Sequence, residues 1–160
     1  MRSENIRAQE AGHSPHLEAR LNIRILVVED DVDLRRITSG ILVEAGYEVE
    51  SAEDGEIAWQ MIQRNDYALV ITDNNMPRLT GIELLRLLHS ERIAIPVILL
   101  TGQLPTDEMR RSPDLKIEAV IIKPYTEMGL LTVVTNVLKG FIMSEPAGNL
   151  IQKPLNPHAK

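Results

Sequence analysis

Ile25-Leu26-Val27-Val28-Glu29-Asp30-Asp31 sets the reading of this chain: four aliphatic residues stop abruptly in three acids. A run of this length without a polar interruption predicts a strand buried on both faces, as parallel strands are. The same figure recurs in Val70-Ile71-Thr72-Asp73-Asn74-Asn75-Met76-Pro77 and in Val120-Ile121-Ile122-Lys123-Pro124, while Val97-Ile98-Leu99-Leu100 ends in the hydroxyl of Thr101. Open α/β sheets take ligands beyond the carboxyl ends of their strands. One sheet edge therefore collects Glu29, Asp30, Asp73, Thr101 and Lys123, a set suited to a divalent cation and a phosphoryl group.

Outward from these strings, strand and helix patterns alternate. Leu34, Ile37, Ile41, Leu42 and Ala45 recur at helical spacing after the first strand, and Gly46 stops that helix. A short strand follows at 47–51, then a helix opened by Asp54 and Gly55 with Ile57, Ala58, Met61 and Ile62 on its apolar side. The third strand is expected at 67–72. Thr80 is placed to N-cap a helix carrying Ile82, Leu84, Leu85, Leu87 and Leu88. The fourth strand is expected at 95–100 and the fifth at 119–122. Between them Pro105 can start a helix that Pro113 ends, which leaves about two turns. The last helix is expected from Thr126 to about Phe141. Five β/α units of this kind predict a doubly wound α/β domain with helices on both faces.

At 160 residues the chain suffices for one core, and 44% apolar content is ordinary for a globular protein. We expect a flexible lead over residues 1–22, a folded domain over 23–142 and a tail over 143–160 that contains Pro146, Pro154 and Pro157. A net charge of −6 argues against nucleic acid as the main partner. The longest apolar run, 93–100, is too short for a bilayer span and contains Pro96, so no membrane partner is expected either. The absence of cysteine excludes disulfides, thiol catalysis and zinc-thiolate sites, and a cytoplasmic location is the simplest reading.

The four strand-end motifs, in order, resemble those of the receiver domain of two-component response regulators, chemotaxis regulators included. The resemblance covers roughly residues 23–141. Spacing agrees with it: Asp73 lies 43 residues after Asp30, Thr101 lies 28 after Asp73, and Lys123 lies 22 after Thr101. It implies a flavodoxin-like sheet of order 2-1-3-4-5. It also implies Mg²⁺ bound directly by Asp30, Asp73 and the Asn75 backbone carbonyl, with Glu29 acting through water. Asp73 would be the nucleophile that accepts phosphate from a histidine kinase or phosphotransfer protein. Thr101 and Lys123 would complete the site, and signalling would pass to a downstream protein partner. The chain would then be no enzyme in the ordinary sense, catalysing only its own phosphorylation and dephosphorylation. The Lys123–Pro124 bond is commonly cis in this family.

The physical reading is consistent with this. Like charges about 4 Å apart repel by roughly 4 kcal/mol at an effective dielectric near 20, so clustered carboxylates call for a cation. Mg²⁺ prefers octahedral oxygen ligands and keeps several waters, so few protein ligands suffice. Asp31 has the simpler role of a helix N-cap. The histidines (His13, His16, His89, His158) show no ligand spacing. Two alternatives are a Mg²⁺-dependent phosphohydrolase of the haloacid-dehalogenase type and a binding module indifferent to phosphorylation. The first places its nucleophile on the first strand, where this chain has Glu-Asp-Asp. The second has no evident use for all five polar residues.

Three features depart from the family pattern. Val120 stands where an aromatic residue usually relays the motion of the threonine. The segment Leu115-Lys116-Ile117-Glu118 lacks the usual Ala-Gly turn, and Pro105 and Pro113 bracket the fourth helix. Residues 103–117 are therefore expected to be the least protected of the domain. In the last helix, Leu130, Val134, Val137, Leu138 and Phe141 form one apolar stripe. Met128, Leu131, Val133 and Ile142 lie off it and suggest either a wider core contact or a second contact surface.

Overall fold

A computed structural model describes residues 23–144, and the expected lead and most of the expected tail lie outside them. The elements alternate: β1 (Arg24–Val28), α1 (Val32–Glu44), β2 (Glu48–Ala52), α2 (Gly55–Arg64), β3 (Leu69–Asp73), α3 (Gly81–Ser90), β4 (Val97–Thr101), α4 (Thr106–Arg111), β5 (Ala119–Ile122) and α5 (Glu127–Ser144). All strand pairs are parallel and the sheet order is β2-β1-β3-β4-β5, the flavodoxin-like arrangement expected. The order reverses between β1 and β3, which opens a crevice beyond their carboxyl ends.

Alternation along the strands divides the core in two. Ile25, Val27, Leu69, Ile71, Ile98 and Leu100 face Leu42 of α1 and Leu130, Val134 and Leu138 of α5. Leu26, Val28, Val70 and Leu99 face Ala58 and Ile62 of α2 and Ile82, Leu85 and Leu88 of α3. Burying each Val, Leu or Ile contributes about 1.5–3 kcal/mol relative to exposure. The two-sided burial explains why the central strands read as unbroken apolar runs.

Chain ends of the helices follow local chemistry. Asp31 caps α1 by accepting from the N–H groups of Asp33 (2.9 Å) and Leu34 (3.0 Å), and Gly46 closes it with φ 91°, a conformation that favours glycine. Thr80 and Glu83 form a reciprocal capping box at the start of α3. By contrast, α4 has only six residues, starts at Pro105 without a side-chain cap and buries none of its residues.

Several expectations are corrected. Strands β2, β3 and β4 begin one or two residues later than read and each extends one residue further, because the strand-end residues Ala52, Asp73 and Thr101 still pair. Ile37 is 55% exposed, and fully buried Thr38 takes the core-facing position instead. Helix α5 runs to Ser144, three residues past Phe141. Its second apolar side is divided: Leu131 and Val133 pack on the core, whereas Met128 is 77% exposed. Among the described residues, no helix is long and apolar enough to cross a membrane.

Candidate functional site

The carboxyl ends of β1 and β3 are neighbours in the sheet, so the acids that follow them converge. Glu29, Asp30 and Asp73 each offer a carboxylate oxygen, all within 4.8 Å of one another. Glu29 is 1% exposed and Asp73 6%, whereas Asp30 faces solvent. Lys123, one residue past the end of β5, reaches across the sheet edge. Its Nζ lies 2.6 Å from Glu29 Oε2 and 3.1 Å from Asp73 Oδ2. The Lys123–Pro124 bond is cis, and the Lys123 N–H donates to the Thr101 carbonyl at 2.8 Å.

Charges within the site shift its members. Burial pushes the Glu29 carboxyl above its ordinary value, the hydrogen bond from Lys123 opposes the rise, and the Asp73 charge adds to it. For Lys123, burial alone would lower the ammonium; the Glu29 hydrogen bond and the Asp73 charge outweigh it and hold the group above its usual range. Three carboxylates and one ammonium leave an excess of two negative charges. An all-oxygen donor set with that excess fits a hard divalent cation, Mg²⁺ above all.

Asp73 is held by its surroundings. Its Oδ1 accepts from the Asn74 N–H at 2.7 Å, and Asn74 in turn accepts from the Ile82 N–H at 3.1 Å through Oδ1. Asn74 is 6% exposed, and its Nδ2 lies 3.4 Å from Glu108 Oε2 in α4. Asn74 was not among the expected site residues; its place directly after Asp73, the last residue of β3, was the available signal. Arg35 was missed as well. Its guanidinium donates to the backbone carbonyls of Glu29 and Asp30, bracing the acidic loop from α1. No periodic pattern marks such a contact.

The two remaining expected residues follow β3 and end β4. Asn75 is exposed, two residues past Asp73 in the β3–α3 loop. Thr101 is fully buried at the end of β4, and its hydroxyl donates to the Gln103 carbonyl at 2.7 Å. Val120 is partly buried and packs against the α2–α3 side of the core. The β3–α3 loop is fastened elsewhere, through Arg78, which pairs with Asp54 at the N-terminus of α2.

Comparison with known proteins agrees with this geometry. The family model described as the response regulator receiver domain matches residues 25–135. The gliding motility regulatory protein of Myxococcus xanthus is 41% identical over 108 residues, which are 66% of this chain and 14% of that protein. Chemotaxis protein CheY-3 of Vibrio cholerae serotype O1 is 31% identical over 108 residues, 66% of this chain and 83% of the relative. Among solved structures, response regulator protein TrrA from Thermotoga maritima, in complex with Mg²⁺-BeF, superposes with a TM-score of 0.65 at 30% identity. That match covers 72% of this chain and 98% of the other.

Proposed function

This chain belongs to the response regulator receiver domain family, and from that premise we propose that it is a phosphoacceptor switch whose acceptor is Asp73. One observation carries the reading: the buried Asp73 carboxylate lies within 4.8 Å of the Glu29 and Asp30 oxygens and 3.1 Å from Lys123 Nζ. A carboxylate so placed can be both cation ligand and nucleophile.

In the proposed reaction an Asp73 oxygen attacks the phosphorus of a phosphohistidine on a kinase or phosphotransfer protein. The P–N bond breaks, the imidazole leaves, and an acyl phosphate forms on Asp73. Asp30, Asp73 and the Asn75 carbonyl would hold Mg²⁺, with Glu29 acting through water; the bound ion supplies charge neutralisation to the phosphoryl oxygens. The Mg²⁺-BeF complex of the Thermotoga maritima relative supports this choice of ion. Lys123, with Nζ 3.1 Å from Asp73 Oδ2, supplies a second positive charge. Thr101 would exchange its Gln103 partner for a phosphoryl oxygen and draw the β4–α4 loop inward. With α4 poorly anchored and Val120 in place of an aromatic relay, ordering of 103–117 is the proposed output, read by a downstream protein. The chain would catalyse no reaction beyond its own phosphorylation and hydrolysis.

Intact-mass spectrometry after incubation with acetyl phosphate and Mg²⁺ tests the proposal. One added phosphoryl group that disappears in Asp73→Asn is the expected result. Turnover of small phosphate esters, or labelling that persists in Asp73→Asn, would contradict it.

A further inference from the structure

Tyr125 lies two residues past Lys123, and its phenol oxygen stands 2.6 Å from Thr38 Oγ1, across 87 residues of sequence. The direction of this bond follows from proton counting. Thr38 has one hydroxyl proton, and it goes to the Leu34 carbonyl at 2.8 Å, so Tyr125 is the donor to Thr38. Thr38 is fully buried, and the Tyr125 ring packs on the α1–α5 side of the core. The part-buried phenol and the buried threonine hydroxyl satisfy each other there.

The position of Thr38 gives the contact a consequence. Arg35, three residues earlier and hence on the same side of α1, donates to the carbonyls of Glu29 and Asp30. One turn of α1 thus grips both sides of the Lys123–Glu29 ion pair, the acidic loop through Arg35 and the lysine loop through Thr38 and Tyr125. The fixed geometry sets where Lys123 Nζ sits between Glu29 (2.6 Å) and Asp73 (3.1 Å).

We infer that Tyr125 is a positioning residue for Lys123, acting through its hydrogen bond to Thr38. The inference rests on the phosphoacceptor reading of Asp73. Loss of the bond frees the lysine loop to shift, and misplacement of a group at the reacting centre by about 1 Å can cost on the order of 10²-fold in rate. Asp30 and Asp73, as proposed cation ligands, are not touched by the change.

The test compares Tyr125→Phe, Thr38→Val, Thr38→Ser and the Tyr125→Phe/Thr38→Val double variant in the full chain. Phosphorylation by saturating acetyl phosphate is followed by intact mass, with Mg²⁺ affinity from titration calorimetry and foldedness from thermal melting. We expect Tyr125→Phe to lower the maximal rate about tenfold while Mg²⁺ affinity changes less than about twofold. Thr38→Ser, which keeps the hydroxyl, should retain the rate, and the double variant should be no slower than Tyr125→Phe alone. A Tyr125→Phe chain that is folded and labels at the wild-type rate overturns the inference alone. So does a Thr38→Ser chain as slow as Tyr125→Phe. A wild-type chain that takes no phosphoryl group overturns the phosphoacceptor reading, and this inference with it.

Discussion

Gly81 begins α3 so close to Asp73 that a Cβ at position 81 would come within 2.4 Å of the Asp73 carbonyl oxygen. The glycine is required by this close approach of two backbones. It lets the β3–α3 loop fold back tightly enough for Asn74 to reach the Ile82 N–H. Gly81→Ala is therefore expected to destabilise the fold by about 1–3 kcal/mol, the usual range for overpacking. It should also slow phosphorylation, because the residue that must yield is the acceptor itself. Urea unfolding and acetyl phosphate labelling measure the two effects; an unchanged midpoint would show that the loop yields without cost.

Lys123→Met removes the only described side-chain cation bonded to both Glu29 and Asp73. Loss of a positive charge aimed at the reacting group should lower the phosphorylation rate by about 10²-fold or more. Mg²⁺ binding should survive, since the carboxylate ligands remain. Titration calorimetry beside labelling kinetics separates the two; loss of Mg²⁺ binding in Lys123→Met would assign the lysine to the fold of the site and not to transfer.

Stability below neutral pH should depend on Asp54, which is fully buried. Burial pushes its carboxyl up, but the hydrogen bonds from Arg78 and the Ile57 N–H (2.8 Å) outweigh it and hold the group below its ordinary 3.8. The unfolded chain then binds the proton more tightly, so this stabilisation is complete above 3.8 and is lost as pH falls through the lower folded value. Asp54→Ala removes the cap of α2, which is expected to cost about 1–2 kcal/mol at neutral pH. It should also flatten the acid limb of the stability curve. Urea midpoints collected across that limb check it, and an equally steep curve in the variant would contradict the assignment.

Hydrogen exchange should find residues 103–117 the least protected of the described chain outside its ends. Helix α4 has six residues, no side-chain cap and no buried residue, and Leu104 beside it is 49% exposed. Leu99 of β4 and Ile121 of β5, both buried residues, are the internal standards. Exchange in α4 as slow as at these positions would rule out an ordering switch in this segment.

The fold was legible in the central strands β1, β3 and β4, because burial on both faces writes itself as apolar runs ending in polar residues. Glu29, Asp30, Asp73 and Lys123 were legible for the same reason: each stands at or just past a strand end, and topology brings those ends together. Contacts between polar groups on separate elements were not. Thr38 gave no periodic signal, since a hydroxyl in a core-facing position breaks the apolar pattern, and Ile37 beside it drew the helix face one position off. The partnership of Thr38 with Tyr125 depends on packing across the sheet edge. The engagement of Thr101 with Gln103 depends on a side-chain rotamer, which spacing does not encode.

Phosphorylation should fall on a single group, the Asp73 carboxylate. Borodeuteride reduction of the phosphorylated chain, followed by peptide mapping, reports directly where an acyl phosphate formed. One reduced, deuterium-labelled residue is expected at position 73, absent when Mg²⁺ is chelated before acetyl phosphate is added. A label at Asp30 or elsewhere, or labelling of Asp73 that is indifferent to Mg²⁺, would contradict that expectation.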